Sequence, residues 1–165
     1  MLFRSLHFTP YIVKRLEVKD VQITPITLHV GLGTFRPVEV EDLSKHSMDS
    51  EHIIISQQTS DQVNQALENR KRVISVGTTS MRTLESAVTV SGKLKPLESW
   101  TDKFIFPPYE FKIVNALVTN FHLPGSTLLM MACAFGGFEL IMEAYQVAIK
   151  KKYHFFTYGD VMLII

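Results

Sequence analysis

The chain has 165 residues, 46% of them apolar and 20% charged, with a formal net charge of +1. That balance predicts one globular domain over residues 1–165 with a sizeable core, and it argues against a disordered chain or a dedicated, strongly basic nucleic-acid binder. The single cysteine, Cys133, excludes an intrachain disulfide and a cysteine-based metal site.

Taken in chain order, Pro10 opens a short helix carrying Ile12, Val13 and Leu16 at helical spacing. A β-rich stretch from Val21 to Val30 follows and ends in a glycine-containing loop, Gly31 to Phe35. Ile53 to Ile55 reads as a strand, and Thr59 with Gln62 stands at capping-box spacing for a helix through Asn69. Arg72 to Val76 is a second apolar strand, leading through Gly77 into a helix with Leu84, Ala87 and Val88 on one side. Ser91-Gly92 is a turn, and a long loop around Trp100 carries Pro96, Pro107 and Pro108. Phe111 to Thr119 is strand-like, and Ser126 to Phe135 is an apolar helix. Gly136-Gly137 precedes a second helix to Lys150, and Tyr153–Phe156 and Asp160–Ile165 close the chain as strands. Alternating strands and helices predict an α/β architecture, with ligands bound at the carboxyl ends of the strands.

Three such strand ends carry polar chemistry. In TLHVGLGTF (27–35), Gly31 and Gly33 allow close backbone approach to a ligand, and His29 is able to move a proton near neutral pH. The same residues also suit a tight turn beside a core histidine. In VGTTSMR (76–82), Gly77, Thr78 and Thr79 open a helix and Arg82 adds a planar bidentate donor, a pattern that holds an anion or simply caps a helix. In TNFHLPGST (119–127), Asn120, His122, Ser126 and Thr127 crowd one loop, able to read a base and move a proton or to satisfy local backbone. The basic runs Lys14-Arg15, Arg70–Arg72 and Lys150–Lys152 suit phosphate, and equally a solvated helix end. The six histidines show no metal-binding spacing, so no metal is expected. Met1 to Ser5 lack a signal-peptide pattern, and no apolar run approaches the roughly 20 residues of a membrane span; a cytoplasmic protein without membrane contact is expected.

TLHVGLGTF (27–35), then His46-x-Met48-x-Ser50-Glu51, RVISVGTTSMRTLES (72–86), TNFHLPGSTLLM (119–130) and FFTYGDVMLI (155–164) occur in this order. The series resembles the S-adenosylmethionine:tRNA ribosyltransferase-isomerase family of queuosine biosynthesis, from Leu6 onward. The resemblance implies a mixed-sheet α/β domain that lacks the family's N-terminal part and its inserted β-barrel domain. Ser5 and Asp49 stand where the family commonly has glycine and histidine.

The implied reaction transfers and isomerises the ribosyl part of S-adenosylmethionine onto 7-aminomethyl-7-deazaguanine at the tRNA wobble position. Epoxyqueuosine, adenine and methionine result. S-adenosylmethionine is then a consumed substrate, and no cofactor is implied. Such chemistry needs a base beside the sulfonium, a donor to departing adenine and a cation for the methionine carboxylate. His29, His122 and Glu51 are the candidates for proton handling. Gly31, Gly33, Thr34, Gly77, Thr78, Thr79 and Arg82 suit anion and backbone contacts. Asn120, Ser126 and Thr127 suit base or sugar, and Phe35, Phe121 and Tyr109 offer stacking faces. A non-catalytic remnant or a split-enzyme subunit with an N-terminal companion chain is the alternative; a generic nucleotide-binding module leaves the ordered motifs unexplained.

Overall fold

The structure is a computed structural model and describes residues 7–31, 34 and 37–165. Helix α1 (Pro10–Glu17) starts at Pro10 under a Thr9 cap and buries no residue. Strands β1 (Thr27–His29), β2 (Glu51–Ile55) and β4 (Leu97–Thr101) form an antiparallel sheet in the order β1-β2-β4. Helix α2 (Gln57–Glu68) follows β2 directly. Strand β3 (Ile74–Val76) pairs in parallel with β5 (Ala116–Asn120), and β5 pairs antiparallel with β6 (Val161–Ile164). Helices α3 (Thr78–Ser86), α4 (Thr127–Gly136) and α5 (Phe138–Lys150) follow β3, β5 and α4. The mixed α/β class expected from the sequence is therefore present, divided between two small sheets.

Directly opposed strand residues share a face, so register decides which side is core. Ser75, Leu117 and Ile164 oppose one another and are all buried, against Met81 and Leu84 of α3, Met131 and Ala132 of α4, and Ile141 and Tyr145 of α5. The opposite face carries Val76, Val118 and Leu163, with Leu163 62% exposed. Ile74 on β3 is 50% exposed, and β3 pairs on one side only among the described residues. Ile55 and Val63 join the same core from the first sheet and α2.

Local chemistry explains the boundaries. Ser126 caps α4 by accepting the Leu129 N–H at 3.2 Å, a contact worth about 1 kcal/mol. Gly136 lets α5 fold back against β6: a Cβ there would lie 2.8 Å from Ile141 Cδ1 and 2.9 Å from Ile164 Cγ2. The two helices meet at 114°, and no single helix among the described residues is long and apolar enough to cross a membrane.

Several expected elements differ. The cap of α2 is Ser56, whose Oγ accepts the Thr59 N–H; Thr59 itself sits inside the first turn and donates its hydroxyl to the Pro25 carbonyl. Strand pairing within Val21–Val30 is confined to Thr27–His29. The Trp100 region is not a loop, because β2 recruits it as an edge strand through pairs such as His52 with Trp100. Tyr153–Phe156 is not a strand: left-handed backbone at Lys152 and Phe156 turns the chain there.

Candidate functional site

Strands β3 and β5 are parallel neighbours, so their carboxyl ends emerge side by side, each passing through a polar turn into a helix. Gly77 turns the first with φ +95°, a conformation that side chains resist, and donates its N–H to the Val118 carbonyl at 2.8 Å. No side chain caps the start of α3. Thr78 is buried and Thr79 half-buried at that turn.

One turn along α3, Arg82 is 1% exposed and forms an ion pair with Glu51 of β2, also 1% exposed. Glu51 Oε2 accepts from Arg82 Nη2. Its Oε1 accepts the Thr34 hydroxyl and the Gly31 N–H, the latter at 3.0 Å. Arg82 Nη2 also reaches Thr34 Oγ1 at 3.4 Å, while Nη1 has no hydrogen-bond partner among the described residues. The Thr34 carbonyl accepts the Thr127 hydroxyl at 3.3 Å, Pro37 bridges to Ser126, and Val38 donates to the Gly125 carbonyl at 2.8 Å. Gly31, Thr34, Pro37 and Val38, Arg82 of α3 and residues 125–127, far apart in sequence, are thus linked around one buried ion pair.

The loop after β5 holds His122 beneath it. His122 is 7% exposed, and its Nε2 lies 2.7 Å from Thr119 Oγ1. Its backbone N–H donates to the Tyr145 hydroxyl at 2.6 Å, and that hydroxyl donates back to the His122 carbonyl at 3.3 Å. Burial pushes the imidazole down to about 4, so it is neutral at physiological pH. Phe121 is buried, edge-on to Tyr145 and Tyr153. Asn120 directs its amide N–H groups at the carbonyls of Gly159 and Asp160, 3.2 and 3.4 Å away, and stands 3.4 Å from His7 Nε2.

The remaining candidates lie elsewhere. His29 faces outward from the first sheet, stacked on His52 at 5.3 Å, with Trp100 beyond it; Glu51, the neighbour of His52, points to the opposite, buried face. Tyr109 sits at the far end of α3, 3.5 Å from Glu85 Oε2, where burial and the negative carboxylate push it up to about 12. Glu85 there accepts the N–H groups of Lys112, Ile113 and Val114. Gly33 and Phe35 lie outside the described residues. Sequence reasoning did not single out Thr119, Tyr145 or His7. The i, i+3 spacing of Thr119 and His122 was the available signal for the first; Tyr145 and His7 reach the site only through the fold.

Polar turns at paired strand ends, tied to a buried Arg–Glu pair, define an α/β protein; in such folds ligands commonly bind at the carboxyl edge of the sheet. The family model described as "Queuosine biosynthesis protein" matches residues 3–164, and the chain belongs to that family, the S-adenosylmethionine:tRNA ribosyltransferase-isomerases. It is 63% identical over 161 residues to the protein of that name from Cytophaga hutchinsonii, covering 98% of this chain and 46% of the relative. The Amoebophilus asiaticus protein of the same name is 55% identical over 163 residues, covering 99% and 47%. The crystal structure of S-adenosylmethionine tRNA ribosyltransferase from Thermotoga maritima superposes with a TM-score of 0.78 at 41% identity, over 97% of this chain and 50% of that one. The chain spans about half the length of the curated relatives it matches.

Proposed function

We propose that this chain supplies the strand-end site of an enzyme that transfers and isomerises the ribosyl group of S-adenosylmethionine onto 7-aminomethyl-7-deazaguanine in tRNA. Epoxyqueuosine, adenine and methionine are the products, and S-adenosylmethionine is consumed rather than retained as a cofactor. The observation that carries this reading is the Glu51–Arg82 pair, which links four of the five family motifs. Glu51 spends both oxygens on Arg82, Thr34 and Gly31, which favours it as a positioning residue over a base. Arg82 Nη1 retains a free donor, and with the uncapped start of α3 at Thr78 and Thr79 it suits a carboxylate such as that of the methionine part. His122 is neutral and bonded to Thr119, which suits a hydrogen-bonding or proton-relay role; burial makes it a weaker base than a free imidazole. Asn120, Ser126 and Thr127 lie in the same loop and suit base or sugar contacts where their present internal hydrogen bonds exchange for a ligand.

A second reading, a subunit that works with a companion chain, is favoured by the half-length coverage together with the outer face of the second sheet. The outer face of this mixed sheet leaves Ile74 on β3 and Leu163 on β6 exposed, and β3 pairs on one side only among the described residues. One assay addresses both readings. The chain is mixed with S-adenosylmethionine and tRNA bearing the aminomethyl-deazaguanine, with and without a polypeptide equivalent to the relatives' other half, and released adenine is measured. Adenine is expected when both halves are present. His122→Ala in that mixture lowers the rate by roughly 100-fold or more while the melting profile stays cooperative. A stable two-part complex that releases no adenine would overturn the enzymatic reading.

A further inference from the structure

The end of α5 and the segment after it carry a surface that the site described above does not use. Helix α5 closes with Lys150, and Lys151 and Lys152 follow, all three exposed. Just beyond them, Tyr153 is 53% exposed, Phe155 49% and Tyr158 87%. Large rings are normally drawn into a core; Tyr153 and Phe155 keep one ring neighbour each, while Tyr158, 87% exposed close to three ammonium groups in sequence, is not explained by packing. The whole chain is close to neutral, so this run is a local concentration of positive charge rather than a reflection of composition.

The rings stand on a fixed support. Asp160 Oδ2 accepts the His154 N–H at 2.7 Å and lies 3.2 Å from His154 Nδ1, while the Asp160 N–H returns to the His154 carbonyl at 2.9 Å. Gly159 donates to the Phe156 carbonyl at 3.0 Å and passes so close to the backbone of residues 154–155 that a Cβ there would overlap it. Phe155 and Phe156 stack at 6.1 Å and 26°. Because the loop is closed before any ligand arrives, little ordering entropy remains to oppose binding.

The support is joined to the candidate site. Asn120 at the tip of β5 donates to the carbonyls of Gly159 and Asp160, and Tyr153 packs edge-on against Phe121, the residue before His122. We infer that Lys150–Lys152 with Tyr153, Phe155 and Tyr158 form a docking surface for a single-stranded RNA loop, lysines on the phosphates and rings on unstacked bases. This rests on the tRNA-modifying reading above and gives it an RNA-gripping surface next to the site. Cationic side chains interleaved with aromatic faces match unpaired RNA, whose bases are free to stack, better than a duplex, whose bases are not.

The test is fluorescence anisotropy on the full chain with a labelled anticodon stem-loop, beside a fully paired duplex and anionic phospholipid vesicles. Preferential binding of the stem-loop is expected. Tyr158→Ala weakens it by roughly tenfold, and Tyr158→Phe, which keeps the ring, restores most of the loss. The Lys151→Ala/Lys152→Ala double variant flattens the plot of log affinity against log salt by about 0.7 for each lysine removed. Unchanged melting of these surface variants separates lost contact from lost fold. Equal affinity and equal salt slope for all variants would overturn the inference, as would binding to vesicles or duplex in preference to the stem-loop. Adenine release that persists at full rate in the variants sinks this surface and leaves the enzymatic reading standing. Loss of stem-loop binding in variants of a two-part complex that never releases adenine does the reverse.

Discussion

Two buried carboxylates beside α3 are held in opposite ways. Against its middle turn, Glu51 is balanced by the guanidinium of Arg82, a full charge against a full charge. At its end, Glu85, 2% exposed, is held by the backbone N–H groups of Lys112, Ile113 and Val114 and by the Tyr109 hydroxyl. Dipoles that belong to the backbone are permanent, so the Glu85 arrangement is a scaffold fixing where the chain enters β5. The Glu51 arrangement depends on a side chain that keeps one donor unused, and it reaches into loops that carry polar chemistry. One carboxylate is held by a side chain that substitution removes, the other by the backbone itself.

That contrast is breakable. The largest effect is expected from Glu51→Ala or Arg82→Met, each of which strands a buried charge and costs about 3–5 kcal/mol in urea unfolding. Replacing both together with apolar residues recovers much of the loss; if the double variant is no better than the singles, the two residues are not acting as a pair. His122 represents a third way of burying a polar group, by shedding its charge. Its folded value near 4 lies below the ordinary 6.5, so the unfolded chain binds the proton more readily. Stability from this group is complete above about pH 6.5 and is lost as pH falls toward 4, by about 3 kcal/mol, and His122→Gln should abolish that slope. Glu85→Ala is expected to cost about 1–3 kcal/mol, because several donors lose their acceptor, whereas Glu85→Gln retains an accepting oxygen and costs less. The smallest change is expected for Asp160→Asn. Asp160 is exposed and is held below the usual carboxylate range chiefly by the His154 N–H, so acid or the substitution loosens its loop without unfolding the domain. Hydrogen exchange at His154 and Asp160 reports it.

How much of this was legible in the sequence depended on whether the deciding interaction was local. Gly77 and the Pro124-Gly125-Ser126 turn marked where β3 and β5 give way to helices, because turns and caps are set by neighbours in the chain. Strand β4 was not legible: Leu97 to Thr101 alternates exposed and covered residues with little strand propensity, and only pairing with β2 makes it a strand. Tyr153–Phe156 failed in the other direction, since aromatic propensity lost to the closure of Asp160 on His154. At the site, Glu51 and Arg82 each stood out by chemistry, but their pairing spans 31 positions and no periodicity announces it. Separation in sequence likewise hid the outward turn of His29, which follows from its register against His52 rather than from its own segment.

The elbow at Gly136 has a mechanical consequence. With Ile141 and Ile164 occupying the space that a side chain would need, α5 has no room to swing against β6. The first turn of α5 and the closing strand are therefore pinned together, and any side chain at position 136 would prise Ile141 away from Ile164.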